Sequence, residues 1–240
     1  MSTPGLDFVS LRAAYAAGYR YIAEQTNLTV RKALDAGAIL IGKTNMDQFA
    51  TGVVGVRTPY GVARNPFDPA YIPGGSSSGA AVSVSAGLCS FALGTDTGGS
   101  GRVPASYNNV VGLKPTLGAF SRRDMVNASR SFDTISIYAL TTPDALEVFR
   151  HCNGVDPHDP YSRPVPTAPA KQPETASLRI AVPSRDTLEF YGNDAAAALF
   201  SEGIAVLESH GHRLTEINFD IFAETSRMMF EGPWLAERYA

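Results

Sequence analysis

The chain has 240 residues, of which 44% are hydrophobic and 18% charged, with 22 Gly and 16 Pro; this suits a globular α/β protein rich in loops, with apolar material for a sizeable core. A formal net charge of −3 gives no electrostatic ground for nucleic acid or an anionic membrane as partner. No apolar run is long enough to span a membrane, and the opening residues lack the basic and apolar regions of a signal peptide, so a cytoplasmic location with Cys89 and Cys152 reduced is expected.

Residues 11–27 (LRAAYAAGYRYIAEQTN) read as helical. Residues 29–38 (TVRKALDAGA) read as a second helix, with Thr29 as its cap and Gly37 near its end. The run ILI at 39–41 predicts a short buried strand. Residues 44–50 look like a helix start, and 52–71, rich in Gly, Pro, Asn and Arg, a loop. The small apolar stretch 80–88 (AAVSVSAGL) predicts a closely packed, buried helix. Residues 90–93 and 135–140 predict buried strands, and 144–152 a helix. The Pro-rich, polar stretch 163–174 predicts a linker or surface loop. Beyond it, 178–182 and 214–219 predict strands. Residues 193–210 predict an amphipathic helix with Leu199, Ile204 and Leu207 inward, and 221–230 a further helix. Strands alternating with helices argue for an α/β layered fold.

Two patterns carry chemistry. Gly75-Ser76-Ser77-Ser78-Gly79 satisfies G-x-S-x-G, the nucleophile elbow, with Ser77 central. An elbow needs a preceding strand, and the loop containing Pro73 argues against one. The second pattern is Thr95-Asp96-Thr97-Gly98-Gly99-Ser100, where a strand delivers the chain to a glycine pair. Glycines let successive backbone N–H groups converge on one spot and cradle an anion, either a phosphate or the oxyanion of an attacked carbonyl. A phosphate loop would normally add a lysine beside the glycines, but Gly101-Arg102 stands there instead. Standing alone, the stretch also reads as a plain glycine-rich turn. The four histidines form no metal pattern; His210-Gly211-His212 reads as a loop after a helix.

Taken together, PGGSSSGAAVSVSAGLCSFALGTDTGGSGRVPASYNNVVGLKPT (73–116), with Ser76 and Ser100 twenty-four residues apart, resembles the signature of the amidase signature family. ALDAGAILIGKTNMDQFATG (33–52) is similar to that family too. Within it, QFATGVVGVRTPYG, SRSFDTISIYALT and FEGPWLAERYA look most like the allophanate hydrolase branch. The resemblance implies an α/β amidase-signature fold, a mixed and mostly buried sheet with helices on both faces. It implies one incomplete amidase domain: a helical segment at 1–28, the signature core at 29–162, the linker at 163–174 and a C-terminal α/β part at 175–240.

The resemblance also implies roles. Ser100 is the nucleophile of a Ser-Ser-Lys triad and Ser76, after a cis peptide bond, its middle member. Backbone N–H groups of Thr97, Gly98, Gly99 and Ser100 form the oxyanion hole. Ser77, Asp96 and Arg102 support the loops. Arg238 receives a substrate carboxylate, with Arg130 as alternative, and Phe230 stands where a tyrosine assists in the branch. The substrate is a small amide, allophanate by the flanks, with no cofactor, no metal and no macromolecular partner beyond an optional homodimer. The triad's lysine belongs on a strand before the ALDAGA helix, and the four lysines here are Lys32, Lys43, Lys114 and Lys171. The expectation is therefore a shortened form in which amide hydrolysis is weak or lost. The alternatives are a general small-amide amidase, or a noncatalytic remnant that keeps the pocket as a binding module.

Overall fold

The computed structural model describes residues 24–167 and 177–237, which fall into two units: residues up to 167 together with Glu237, and residues 177–236. The helix expected at 11–27 lies almost wholly outside the described residues, as does most of the Pro-rich linker.

The first unit is built on a three-stranded antiparallel sheet in the order β1-β3-β2, with β1 at Phe91–Asp96, β2 at Val111–Leu113 and β3 at Thr134–Ala139. Phe91 pairs with Ala139 and Asp96 with Thr134, while Val111 faces Ala139 from the other side. All six residues of β3 are buried. Alternation along a strand sends neighbouring side chains to opposite faces, and β3 uses both. Ile135, Ile137 and Ala139 join a cluster with Phe120, Met125, and Ala145, Phe149 and Cys152 of a helix at Thr142–Cys152. Tyr138 joins the opposite cluster with Ala80, Ala81 and Val84 of a helix at Ser78–Ser85, and with Ala105 of a short helix at Arg102–Tyr107. Helices thus cover both faces of this sheet.

In chain order the helices are α1 (Leu28–Asp35), α2 (Ser78–Ser85), α3 (Arg102–Tyr107) and α4 (Thr142–Cys152) in the first unit. The second unit holds α5 (Asp194–Ser209), α6 (Asp220–Glu231) and most of α7 (Trp234–Glu237). α1 starts one residue before the expected cap. Asn27, not Thr29, accepts the Thr29 amide at 2.9 Å, and its Nδ2 donates to the carbonyls of Ser121 at 3.0 Å and Arg123 at 2.7 Å. An Asn cap that also anchors a distant loop satisfies more orphan groups than a threonine can. α2 owes its close packing to Gly79, where an added Cβ would sit 2.5 Å from the amide nitrogen of Asn45.

Two expected elements are corrected. Residues 39–41 form no strand: Ile39 is 86% and Ile41 69% exposed, and no described segment pairs with them. A strand exists only through its ladder partner. The helix expected at 44–50 reduces to a 3-10 turn at Gln48–Ala50, with Phe49 and Ala50 at positive φ.

The second unit has a parallel pair, β4 (Arg179–Pro183) and β5 (Arg213–Ile217), with Arg179 opposite Arg213 and Pro183 opposite Ile217. None of its described helical residues is buried. Leu199, expected inward, is largely exposed, while Ile204 and Leu207 are half-buried.

Candidate active site

The segment from Pro73 to Ser78 is fixed mainly through its backbone. Asn108 Nδ2 donates to the Pro73 carbonyl at 2.7 Å, the Gly75 amide to the Val53 carbonyl at 2.7 Å, and the Asp47 amide to the Ser76 carbonyl at 2.8 Å. The Asp47 carboxylate, fully buried, accepts the amides of Gly55 and Arg57, both at 2.8 Å. Gly75 must lack a side chain, because a Cβ there would run into that carboxylate. The Gly75–Ser76 peptide bond is cis. Among the described residues no strand leads into this segment, so the elbow geometry around Ser77 is absent.

The Ser77 hydroxyl does something else: it donates to the Thr95 carbonyl at 3.1 Å and accepts the Thr95 amide at 3.0 Å. It therefore occupies one rung on the outer edge of β1. The Ser77 amide donates to the Ser100 carbonyl at 3.3 Å, and the Tyr138 hydroxyl donates to the same oxygen at 3.1 Å. Burial pushes the Tyr138 phenol well above its ordinary value, so it remains a donor. These contacts bring the two serine-bearing segments together.

β1 delivers Asp96, and this residue shapes the loop that follows. Its Oδ1 accepts the Gly99 amide at 2.7 Å and Arg102 Nη2 at 3.0 Å; its Oδ2 accepts Arg102 Nε at 2.8 Å and the Arg102 amide at 3.2 Å. Burial alone would raise the Asp96 carboxyl, but the Arg102 guanidinium and the loop amides outweigh it and hold it below the usual carboxylate range. The Gly99 N–H, expected in the oxyanion cradle, is here engaged by Asp96. Among the described residues the amides of Thr97, Gly98 and Ser100 have no other protein acceptor. Gly99 sits at φ +126, a conformation open to glycine.

The loop has a second buried grip that the sequence did not announce. The Asp133 carboxylate accepts the Thr97 hydroxyl at 2.5 Å and the amides of Ala128 at 2.7 Å and Ser129 at 3.0 Å. Burial raises its pKa despite these donors. Arg122, stacked 4.2 Å over the Tyr161 ring, donates to the Asp133 carbonyl at 3.1 Å. Glu237 accepts the Ser129 hydroxyl at 2.7 Å, and the Ser131 amide and hydroxyl at 3.0 and 3.1 Å. Only Asp47, in TNMDQ, carried a sequence signal that could have flagged such a role: an acid beside a glycine-rich loop has backbone amides to hold.

Ser76 and Ser100 are 0% and 4% exposed, and the Ser76 hydroxyl has no hydrogen-bond partner. None of the described lysines bonds to either hydroxyl. Lys32 donates to the Asn153 carbonyl at 2.8 Å, Lys43 lines a groove beside β1, and Lys114 donates to the Pro115 carbonyl at 3.2 Å, its pKa lowered by burial. Lys171 and Arg238 lie outside the described residues. Phe230 stands half-exposed on α6, at 52%. Two buried serines on adjoining segments, beside a glycine loop whose Thr97, Gly98 and Ser100 amides have no protein acceptor among the described residues, are groups of the kind acyl transfer uses.

A profile for the family described as Amidase matches residues 9–240. The chain belongs to the amidase family. It is 43% identical over 227 residues to urea amidolyase of Saccharomyces cerevisiae, covering 94% of this chain and 12% of that protein. It is 42% identical over 186 residues to a glutamyl-tRNA(Gln) amidotransferase subunit from Chlorobium luteolum, covering 76% of this chain and 38% of the relative. Among solved structures, allophanate hydrolase of Kluyveromyces lactis superposes with a TM-score of 0.89 at 41% identity, covering 96% of this chain and 39% of that one. The corresponding glutamyl-tRNA(Gln) amidotransferase polypeptide of Thermotoga maritima gives 0.83 at 29% identity, covering 97% and 52%. This amidase-family chain thus spans only a fraction of each relative's length, and its α/β fold is theirs.

Proposed function

We propose that the chain is the nucleophile-bearing part of an amide hydrolase of the allophanate type. The Ser100 Oγ attacks the carbonyl carbon of a small amide, and the oxyanion falls among the amides of Thr97, Gly98 and Ser100. The C–N bond breaks, the nitrogen leaves as ammonia with the proton taken from Ser100, and water then cleaves the acyl-serine ester. Ser76 passes that proton. Arg238 receives the carboxylate of an allophanate-like substrate, as a guanidinium fits it in two-point fashion, and Phe230 stands at the position where the branch carries a tyrosine.

The observation that carries this reading is the joint fixing of the two serine segments: the Ser77 amide on the Ser100 carbonyl, beside a buried, unpartnered Ser76 hydroxyl. One oxyanion donor contributes about 3–4 kcal/mol to such a transition state.

A second reading is favoured by a specific observation: no described side chain serves the hydroxyl pair as base. It makes the chain a binding module for small amides or carboxylates. Loss of one triad member costs on the order of 10⁴-fold in turnover, so the expected rate for this chain is slow. The test is ammonia release from allophanate and simple amides, with a fluorophosphonate probe for Ser100. Labelling lost in Ser100→Ala supports a live nucleophile; absence of both labelling and ammonia release supports the binding module.

A further inference from the structure

The glycine loop is pinned on both sides of Thr97 and Gly98. Before them, the Ser77 hydroxyl takes the Thr95 backbone, and Asp96 reaches forward to the Gly99 amide and Arg102. After them, the Ser100 carbonyl accepts the Ser77 amide and the Tyr138 hydroxyl. An amide kept open for an oxyanion cannot also serve as a hydrogen bond of the fold. At Thr97 the hold therefore has to come through the side chain. It does: the buried Thr97 hydroxyl donates to Asp133 Oδ1 at 2.5 Å.

Asp133 is in turn held by its own loop. Its Oδ2 accepts the amides of Ala128 and Ser129, and its amide donates to the Ser129 carbonyl at 2.9 Å. The Phe132 amide donates to the same carbonyl at 3.1 Å. Residues 128–133 thus form a turn wound around one carboxylate. Glu237 closes the other side of this turn. Its Oε2 accepts the Ser129 hydroxyl, and its Oε1 accepts the amide and hydroxyl of Ser131. Three donors from residues more than a hundred positions away in the chain meet on this one carboxylate. Hydrogen bonds therefore run without a break from Glu237 through the 128–133 turn and Asp133 to Thr97.

We propose that Asp133 and Glu237 are positioning residues for the oxyanion cradle. Glu237 fixes the 128–133 turn, the turn fixes Asp133, and Asp133 keeps the Thr97 and Gly98 amides aimed through the Thr97 hydroxyl. The proposal rests on the amide-hydrolase reading, which makes those amides oxyanion donors. Neither acid touches the reacting atoms. Glu237 directly precedes Arg238 in the chain, so the segment given the substrate's carboxylate also braces the loop that stabilises the transition state.

The experiment labels Ser100 of the full chain with a fluorophosphonate and reads the maximal labelling rate and the probe concentration giving half of it. Thr97→Val removes the hydroxyl that Asp133 holds. Glu237→Ala opens the far end of the brace and alters no residue of the glycine loop. Each is expected to slow the maximal rate by about tenfold or more, as a misaimed oxyanion donor does. The half-saturating concentration stays within about twofold of the parent's, because the probe still reaches the same serine. The double variant is expected to be no slower than Thr97→Val alone, since both changes act through one link. Thr97→Ser keeps the hydroxyl and restores most of the rate. A Glu237→Ala chain labelled at the parent rate overturns the proposal, as do losses that multiply in the double variant. A parent chain that takes no label sinks the amide-hydrolase reading instead. The brace is then read without chemistry, from the NMR order parameter of the Gly98 amide. It is expected near the rigid value of about 0.85 in the parent and below about 0.6 in Thr97→Val and Glu237→Ala. A Gly98 equally ordered in all three chains overturns the proposal, whatever the labelling shows.

Discussion

The amide of Ser77 donates to the carbonyl of Ser100 at 3.3 Å, while the hydroxyl of the same serine closes a two-way bridge to the backbone of Thr95. One residue therefore ties the Ser76 segment to both the strand before the reactive loop and the serine at its end. Its position in the middle of a serine triplet suggests a nucleophile, but its bonds make it a clamp.

Ser77→Ala leaves the Thr95 amide and carbonyl buried without partners. Such groups cost about 1–3 kcal/mol each when stranded, so the expected loss is at the upper end of that range. Urea unfolding followed by far-ultraviolet circular dichroism, which sees the helices and sheet of the first unit, measures it. A variant as stable as the parent shows that water replaces the hydroxyl.

Asp96 is fully buried, whereas the Arg102 side chain is 57% exposed. Removing the arginine leaves a buried carboxylate with only the Gly99 and Arg102 amides as donors; removing the acid frees a largely solvated cation and deprives those two amides of their acceptor. Arg102→Ala is expected to cost about 3 kcal/mol, and Asp96→Asn/Arg102→Ala to recover part of that loss. Denaturant midpoints of the two single variants and the double variant close the cycle. Strict additivity would show that the pair does not shape the loop.

The signature core was legible because its chemistry is local. Glycines at 98, 99 and 101 and the serines at 76 and 100 fix a backbone shape largely by themselves, and the strands at β1 and β3 are apolar runs bounded by turns. β2 and α3 were missed: Val111–Leu113 is three residues long, and Pro104 inside α3 reads as a breaker. The ILI run was misread because a buried strand and an apolar coil have the same composition; only a partner distinguishes them. Asp133 acts on Thr97 across a separation of 36 residues, and no local pattern announces such a contact. The amphipathic pattern of α5 gave the helix, but not the exposure of Leu199, since periodicity says which side is apolar and not what covers it.

Gly101 tests how tightly the loop is seated on the sheet. Its φ is ordinary, so strain does not demand glycine there; space does. A Cβ would lie 2.8 Å from Ser136 Cβ and closer still to the Ser136 hydroxyl on fully buried β3. Gly101→Ala is expected to cost about 1–3 kcal/mol through overpacking. Ser136→Gly in the same chain removes the clashing atoms and also a buried hydroxyl that has no partner. The double variant should therefore be more stable than Gly101→Ala alone, by thermal melting. A double variant that melts lower than Gly101→Ala would place the conflict elsewhere.

Acid should probe the loop anchors selectively. Burial pushes the Asp156 carboxyl up, but the Ser121 hydroxyl, the His158 amide and the Arg123 guanidinium outweigh it and hold the group down to about 2, against an ordinary 3.8. A folded value below the unfolded one gives stability that is full above the unfolded value and is lost as pH falls toward the folded one. The window is thus about pH 4 to 2, and the contribution is on the order of 2 kcal/mol. Asp96 and Glu237 are lowered as well and share that sign. Asp133 is raised by burial, so it binds its proton before the unfolded chain does, and its contribution falls as pH rises through its folded value. Asp156→Asn is therefore expected to be less stable than the parent at pH 5, with the gap closing as pH falls through about 2 and the folded carboxyl takes up its proton. Urea unfolding across that range measures the gap. A gap that stays constant would mean that Asp156 acts through packing rather than through its charge.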